Sequence, residues 1–220
     1  MNPRIHPLCR SVLLAGSLAV LTPLIAACVP VAAIGVGTGA LVLSDRRPTE
    51  TFIADEAIET RTVNRINEAY GDKVHVNVTS FNRAVLLTGE VPSEAAKAEA
   101  ERIAGKVPNV RAVTNELLVA GHSSFGGRSN DSYITSKVKA RFIDAGKFAT
   151  NHVKVVTEAG TVHLLGLVTQ READAAVDIA RTTGGVLKVV RIFEIVSEAE
   201  AKRLDNRGSA DSSAPATVKN

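Results

Sequence analysis

Residues 153–168 read VKVVTEAGTVHLLGLV, and this stretch decides the fold. Val153 and Val155 alternate with polar residues, Glu158-Ala159-Gly160 supplies a turn, and Val162 and Leu164 resume the alternation. Period two on both sides of a short turn predicts a β-hairpin with a buried face, and His163 falls on the opposite face. Upstream, Ile134, Val138, Phe142 and Ala145 recur at helical spacing behind an Asn130/Asp131 cap, which predicts an amphipathic helix. Downstream, Thr169-x-x-Glu172 is a capping box opening a helix with Ala173, Ala176, Ile179 and Ala180 as its packing face. Gly184-Gly185 stops that helix, and Val186 to Val196 is a β-branched strand. The unit reads helix, strand, strand, helix, strand, an α+β arrangement with two helices over one face of a small mixed sheet.

The same unit occurs earlier in the chain. Val76-Asn77-Val78 through Val85-Leu86-Leu87-Thr88-Gly89-Glu90-Val91 matches the hairpin at an offset of 77, while Asp55/Ile58 align with Asp131/Ile134 at 76. Ser93 is the expected cap of the second helix in this copy, with Ile103 and Val107 on its apolar stripe. Units of about 70 residues lie near the lower end of what folds alone. Gly89 and Gly166 hold equivalent places near the end of the second strand and are read as structural glycines, giving a bulge or room for packing.

The pieces DSYITSKVKARF, VKVVTEAGTVHLLGLV and READAAVDIA, in this order, resemble the BON domain. The resemblance implies two tandem αββαβ domains, each with a three-stranded mixed sheet covered by two helices, at 51–119 and 131–197. Residues 120–130 read as a linker rich in Gly and Ser, and 198–220 as a polar, disordered tail.

The N-terminus has the pattern of a targeting segment. Arg4 and Arg10 precede an apolar run from Ser11 to Ala27, which is the layout of a secretory signal. Leu24-Ile25-Ala26-Ala27-Cys28 resembles the bacterial lipobox, which implies cleavage after residue 27 and acylation of Cys28. A plain secretory signal and a membrane-spanning helix over residues 11–43 are the alternatives. Pro23, Pro30 and Gly35, Gly37 and Gly39 interrupt that run, and a Pro costs roughly 3 kcal/mol inside a helix. Residues 28–50 then serve as anchor and tether. Lipobox and paired BON units together resemble the dual-BON outer-membrane lipoproteins, which implies an outer-membrane location facing the periplasm.

Composition narrows the function classes. The 220 residues are 45% hydrophobic and 22% charged, with no Trp and a formal charge of +3, which excludes fibrous and wholly disordered chains. Removal of residues 1–27 takes away Arg4 and Arg10 and no acid, so 24 bases stand against 23 acids and no nucleic-acid partner is expected. Cys9 lies in the removed segment and Cys28 is acylated, so neither a disulfide nor a Cys-based metal site is expected. His75, His122, His152 and His163 lack metal-ligand spacing, and no nucleophile elbow, Walker loop or dinucleotide fingerprint is present. The sequence predicts no catalytic residues, no cofactor and no metal, and hence no enzyme.

The informative difference between the copies is electrostatic. Residues 55–70 carry four acids against two bases, a net of −2, whereas 131–146 carry Lys137, Lys139 and Arg141 against two acids, a net of +1. Tyr133, Lys137 and Arg141 form a stripe at i, i+4, i+8, and a polar-tipped ring beside long basic side chains suits a bilayer interface. A solvated basic face is the plain alternative. The family resemblance implies that this helix contacts anionic phospholipid, and it points to Tyr133, Ile134, Ser136, Lys137, Lys139 and Arg141. It further implies a role in envelope integrity, at division sites. The reading from a different class is a lipid-anchored adaptor for envelope assembly, division or peptidoglycan-associated proteins.

Overall fold

The structure is a computed structural model and describes residues 45–121 and 125–211. Cys28, the signal segment and the tether up to residue 44 lie outside the described residues. The first domain comprises α1 (Thr49–Tyr70), β1 (His75–Phe81), β2 (Ala84–Val91), α2 (Glu94–Gly105), β3 (Ala112–Asn115) and β4 (Leu118–Val119). The second comprises α3 (Phe125–Ala145), β5 (Lys154–Glu158), β6 (Thr161–Val168), α4 (Gln170–Arg181) and β7 (Lys188–Ile195), followed by α5 (Glu198–Asp211). In each sheet the central strand pairs antiparallel with its hairpin partner and parallel with the strand behind the second helix. The third strand of the first sheet is interrupted at residues 116–117, and its short continuation β4 stays parallel to β2.

Both hairpins turn through two residues of positive φ, Asn82 and Arg83 in one and Ala159 and Gly160 in the other. That conformation matches the twist of the strands, and it leaves the turn amides pointing outward. A helix carboxylate collects them. Asp55 accepts from the amides of Asn82 (2.8 Å) and Arg83 (2.7 Å), and Asp131 accepts from those of Ala159 (2.9 Å) and Gly160 (2.8 Å). This corrects the reading of Asp131 as part of a helix cap. Helix α3 begins at Phe125, inside the segment expected to be a linker, and Asp131 lies within it as the bond between helix and hairpin.

The caps of the second helices follow the sequence pattern. The Ser93 hydroxyl accepts from the Ala96 amide, and Thr169 and Glu172 form a reciprocal capping box. Val85, Leu87 and Val91 join Ile58, Ile66, Ala100 and Ala104 in the first core. Val155, Val162, Leu164 and Val168 join Ile134, Val138, Phe142, Ala176 and Ala180 in the second. Ala145, placed on that stripe by spacing, is exposed because the helix ends there.

The other face of each sheet is buried against the other domain. Phe81 and Leu86 cluster with Leu165 and Leu167, flanked by Val156, Ile192 and Val196. Polar pairs surround this seam: Asn77 donates to Glu158 at 2.9 Å, Asn82 to Glu194 at 2.8 Å, and Lys154 to Glu59 at 3.2 Å. Strands β2 and β6 are therefore covered on both faces, which explains why LLTGEV and HLLGLV carry few polar residues between their apolar ones.

Two further boundaries differ from the sequence expectation. Thr49 and Glu50 already belong to α1, so the tether ends before residue 49. Residues 198–211, read as tail, form α5. Its charged composition hides Ala201 and Leu204, which are buried, and Asp205, which bonds to Arg46. That i, i+3, i+4 face is short, and composition averages it away.

Candidate functional site

Helix α3 presents the residues proposed from sequence in three different ways. Tyr133 is 63% exposed, and Ser136 and Lys139 are exposed as well. Ile134 is completely buried in the second core, so it cannot face a membrane, and its place in the lipid-facing set is withdrawn. Spacing puts Ile134 on the apolar stripe with Val138 and Phe142, and the core claims it as that stripe requires; only the resemblance set it beside Tyr133. Lys137 and Arg141 project along α3 to the end of α4. The Lys137 ammonium donates to the Gly184 carbonyl and lies 4.6 Å from the centre of the Tyr133 ring. The Arg141 guanidinium donates to the Ile179 carbonyl at 2.9 Å and to the Thr183 hydroxyl at 2.8 Å. Arg141 thus satisfies a carbonyl in the last turn of α4 and Lys137 one in the loop just beyond it, and the pair holds the two helices together. Leu187, which the sequence reading passed over as part of a strand, is 81% exposed just beyond that helix end.

A second concentration of chemistry lies along the seam between the domains. His75 and Glu90 are cross-strand partners in the first sheet, and the His75 Nδ1 lies 2.9 Å from the Glu90 carboxylate. Glu158 approaches from the second domain, so that one donor atom from each of the three lies within 4.8 Å of the others. Burial raises the Glu158 carboxyl above its ordinary range, and the charge of Glu90 adds to this against the hydrogen bond from Asn77. Farther along, His163 is 2% exposed, with its Nε2 3.9 Å from Glu116. Burial lowers the His163 imidazole below its ordinary value, an effect that Glu116 opposes.

Because the folded state depresses His163, its contribution to stability is complete above the ordinary His value of about 6.5 and declines as pH falls below it. Glu158 works in the opposite sense: its raised value gives a contribution complete at low pH and lost as pH rises through the folded value. The repeat supplies the separating variant, since Leu86 occupies the position equivalent to His163. Replacing His163 with Leu reduces the loss of stability between pH 7.5 and 5.5, by at most about 1.4 kcal/mol per pH unit. Urea unfolding of the two proteins at both pH values measures this, and identical pH slopes contradict it.

The segment entering the first domain pins both domains. The Arg46 guanidinium is buried and donates to Glu172 at 2.6 and 3.1 Å, to Asp205 at 2.8 and 3.2 Å, and to the Leu167 carbonyl at 2.9 Å. Arg47 pairs with Asp45 and with Asp55 of α1, and its guanidinium lies over the Phe81 ring at 4.1 Å. Consecutive arginines in a polar stretch gave no sign of this role, because the partners of Arg46 lie more than a hundred residues away and Arg47 meets Phe81 only once the hairpin folds back on α1.

Two αββαβ units joined sheet to sheet define a class of protein. The BON-domain family model matches residues 54–121 and 130–197, and the chain belongs to that family. Over 169 residues it is 40% identical to the outer membrane lipoprotein DolP of Haemophilus influenzae, covering 76% of this chain and 88% of that protein. It is 31% identical to a 21 kDa hemolysin of Actinobacillus pleuropneumoniae, covering 69% of this chain and 79% of that protein. With the osmotically-inducible protein Y of Escherichia coli it shares 32% identity, over 69% of this chain and 77% of that protein. Among the described residues no helix is long and apolar enough to cross a membrane.

Proposed function

We propose that the chain is a non-enzymatic outer-membrane lipoprotein, acylated on Cys28 and facing the periplasm, that binds anionic phospholipid through α3. In this reading it supports envelope integrity and acts at division sites, where anionic lipid gathers. The observation that carries it is the exposure of Tyr133, Ser136 and Lys139 along one stretch of α3, with the Lys137 ammonium over the Tyr133 ring. An aromatic ring with a polar tip suits the headgroup region, and each base near an anionic surface contributes on the order of 1 kcal/mol. Lys139 is the base best placed for headgroups, because Lys137 and Arg141 already bond the end of α4. Leu187 adds an exposed apolar side chain beyond that same end.

So few contacts give weak binding alone. The tether changes this: Arg46 lies 18 positions after Cys28, a span that reaches at most about 65 Å at full extension. The acyl anchor would confine the domains near lipid, and weak contacts suffice at high local concentration. The 40% identity to an outer membrane lipoprotein over most of both chains supports the location.

Vesicle flotation tests the lipid contact with a Cys28→Ser chain that lacks the signal segment. It floats with vesicles containing phosphatidylglycerol and not with phosphatidylcholine alone. Tyr133→Ala combined with Lys139→Glu abolishes flotation while unfolding at the same temperature as the parent, because exposed substitutions of this kind change stability by only about 0.5 kcal/mol. Equal binding to neutral vesicles, or no loss in the double variant, refutes the reading and favours a protein-binding adaptor.

A further inference from the structure

The seam between the domains holds an arrangement that neither the lipid-binding reading nor the packing of the sheets uses. His75, Glu90 and Glu158 come from β1, β2 and β5, and Glu90 and Glu158 are only 4% and 7% exposed. Among the described residues, His75 is the sole ionisable base hydrogen-bonded to either carboxylate. Two carboxylates facing one imidazole leave excess negative charge in a buried place, which is costly without a further cation or proton.

The repeat shows that this is not what the fold requires. At the offset of 77, Glu90 is equivalent to Leu167 and Glu158 to Phe81, both members of the apolar seam. Each domain thus carries a carboxylate where the other carries a large apolar residue, and the two carboxylates meet. The sheet holds them in place. His75 and Glu90 project from the same face as a cross-strand pair, and Asn77, two residues along β1, donates to Glu158 at 2.9 Å. A carboxylate oriented by a neighbouring amide has the support that metal ligands usually have.

We infer that His75, Glu90 and Glu158 form a divalent-cation site of the zinc type that ties the two BON domains together. One imidazole nitrogen and two carboxylate oxygens are a ligand set for zinc with room for water, whereas Ca2+ and Mg2+ take oxygen alone. Bonds of about 2.0–2.2 Å place donor atoms about 3–3.5 Å apart. The His75–Glu90 pair is at 2.9 Å already, and the third donor lies within 4.8 Å. Two carboxylates neutralise the doubly charged ion. His75 binds as the neutral imidazole, with the Nδ1 lone pair on the metal and the ring N–H on Nε2. Spacing in the sequence gave no indication of the site, because its ligands are 15 and 68 residues apart in a row and meet only through the domain seam.

Isothermal titration of the mature lipidated chain, stripped with chelator and held in detergent, tests the site with ZnCl2 and with CaCl2. Zinc binds with one equivalent per chain and raises the unfolding temperature. Glu158→Gln keeps the side-chain shape and the oxygen that accepts from Asn77, and His75→Ala removes the nitrogen ligand. Each weakens zinc binding at least tenfold and abolishes the thermal shift. Glu90→Gln provides the same readout should His75→Ala fail to fold. No binding at millimolar zinc, undiminished binding in the variants, or calcium binding as tight as zinc overturns the assignment.

Discussion

Replacing Gly166 with Val is expected to unfold the second domain. A Cβ at residue 166 lies 2.3 Å from the His152 carbonyl oxygen, far inside van der Waals contact. That oxygen belongs to the backbone entering β5, so relief requires the hairpin to open. A Cβ at the equivalent residue 89 would meet the His75 carbonyl oxygen still more closely, and Gly89 adopts a φ of +110°, so that a side chain there adds backbone strain to the clash. Both glycines thus exist for one close approach of the chain, and the loss is about 3 kcal/mol or more, at the severe end of single substitutions. Thermal unfolding followed by circular dichroism measures it. Gly166→Val with the parental unfolding temperature contradicts the account, as does a variant that unfolds early only when lipid is present.

Arg46→Ala is the second large effect. Burial opposes the guanidinium charge, yet hydrogen bonds and charge from Asp205 and Glu172 outweigh it and raise Arg46 above its ordinary value. Burial likewise pushes Glu172 up, and hydrogen bonds from Arg46 and the Thr169 amide bring it below the usual carboxylate range. Removing the arginine leaves Glu172 buried without its cation, which costs about 3–5 kcal/mol. Part of this returns in the Arg46→Ala/Glu172→Gln double variant, because the orphaned charge is then gone. Lys at residue 46 cannot replace the fork that serves Glu172, Asp205 and Leu167 at once. In urea the single variant unfolds at a markedly lower midpoint than the double. A single variant within about 1 kcal/mol of the parent would show that the pair is solvent-screened and leave the tether unpinned.

Local chemistry and local structure were legible in the sequence together. The hairpin alternation, the Thr169/Glu172 capping box, the Ser93 cap and the Ala-rich face of α4 are all short-range patterns, and each appears where the spacing puts it. The face opposite the helices was harder to read. Leu86, Leu165 and Leu167 look like ordinary strand residues, and only the docking of one sheet on the other explains why they are apolar on both sides of the strand. Asp55 and Asp131 were visible as an aligned pair, but a carboxylate near a helix start suggests a dipole partner, and the hairpin amides it actually serves lie 27 to 29 residues away. Ile134 shows the reverse limit. Resemblance placed it with Tyr133 in a contact set, while its helical phase with Val138 and Phe142 had already assigned it to the core. Lys137 and Arg141 formed a stripe by spacing, and their carbonyl partners around residues 179–184 could not be foreseen from the helix alone.

The lipid contact of α3 is tested most directly by amide shift mapping of the isotope-labelled Cys28→Ser chain with micelles containing phosphatidylglycerol. The account predicts shifts centred on Tyr133, Ser136, Lys137 and Lys139, extending to Leu187, and absent with zwitterionic micelles. Shifts of equal size in zwitterionic micelles, or centred on the acidic helix Thr49–Tyr70, would contradict it.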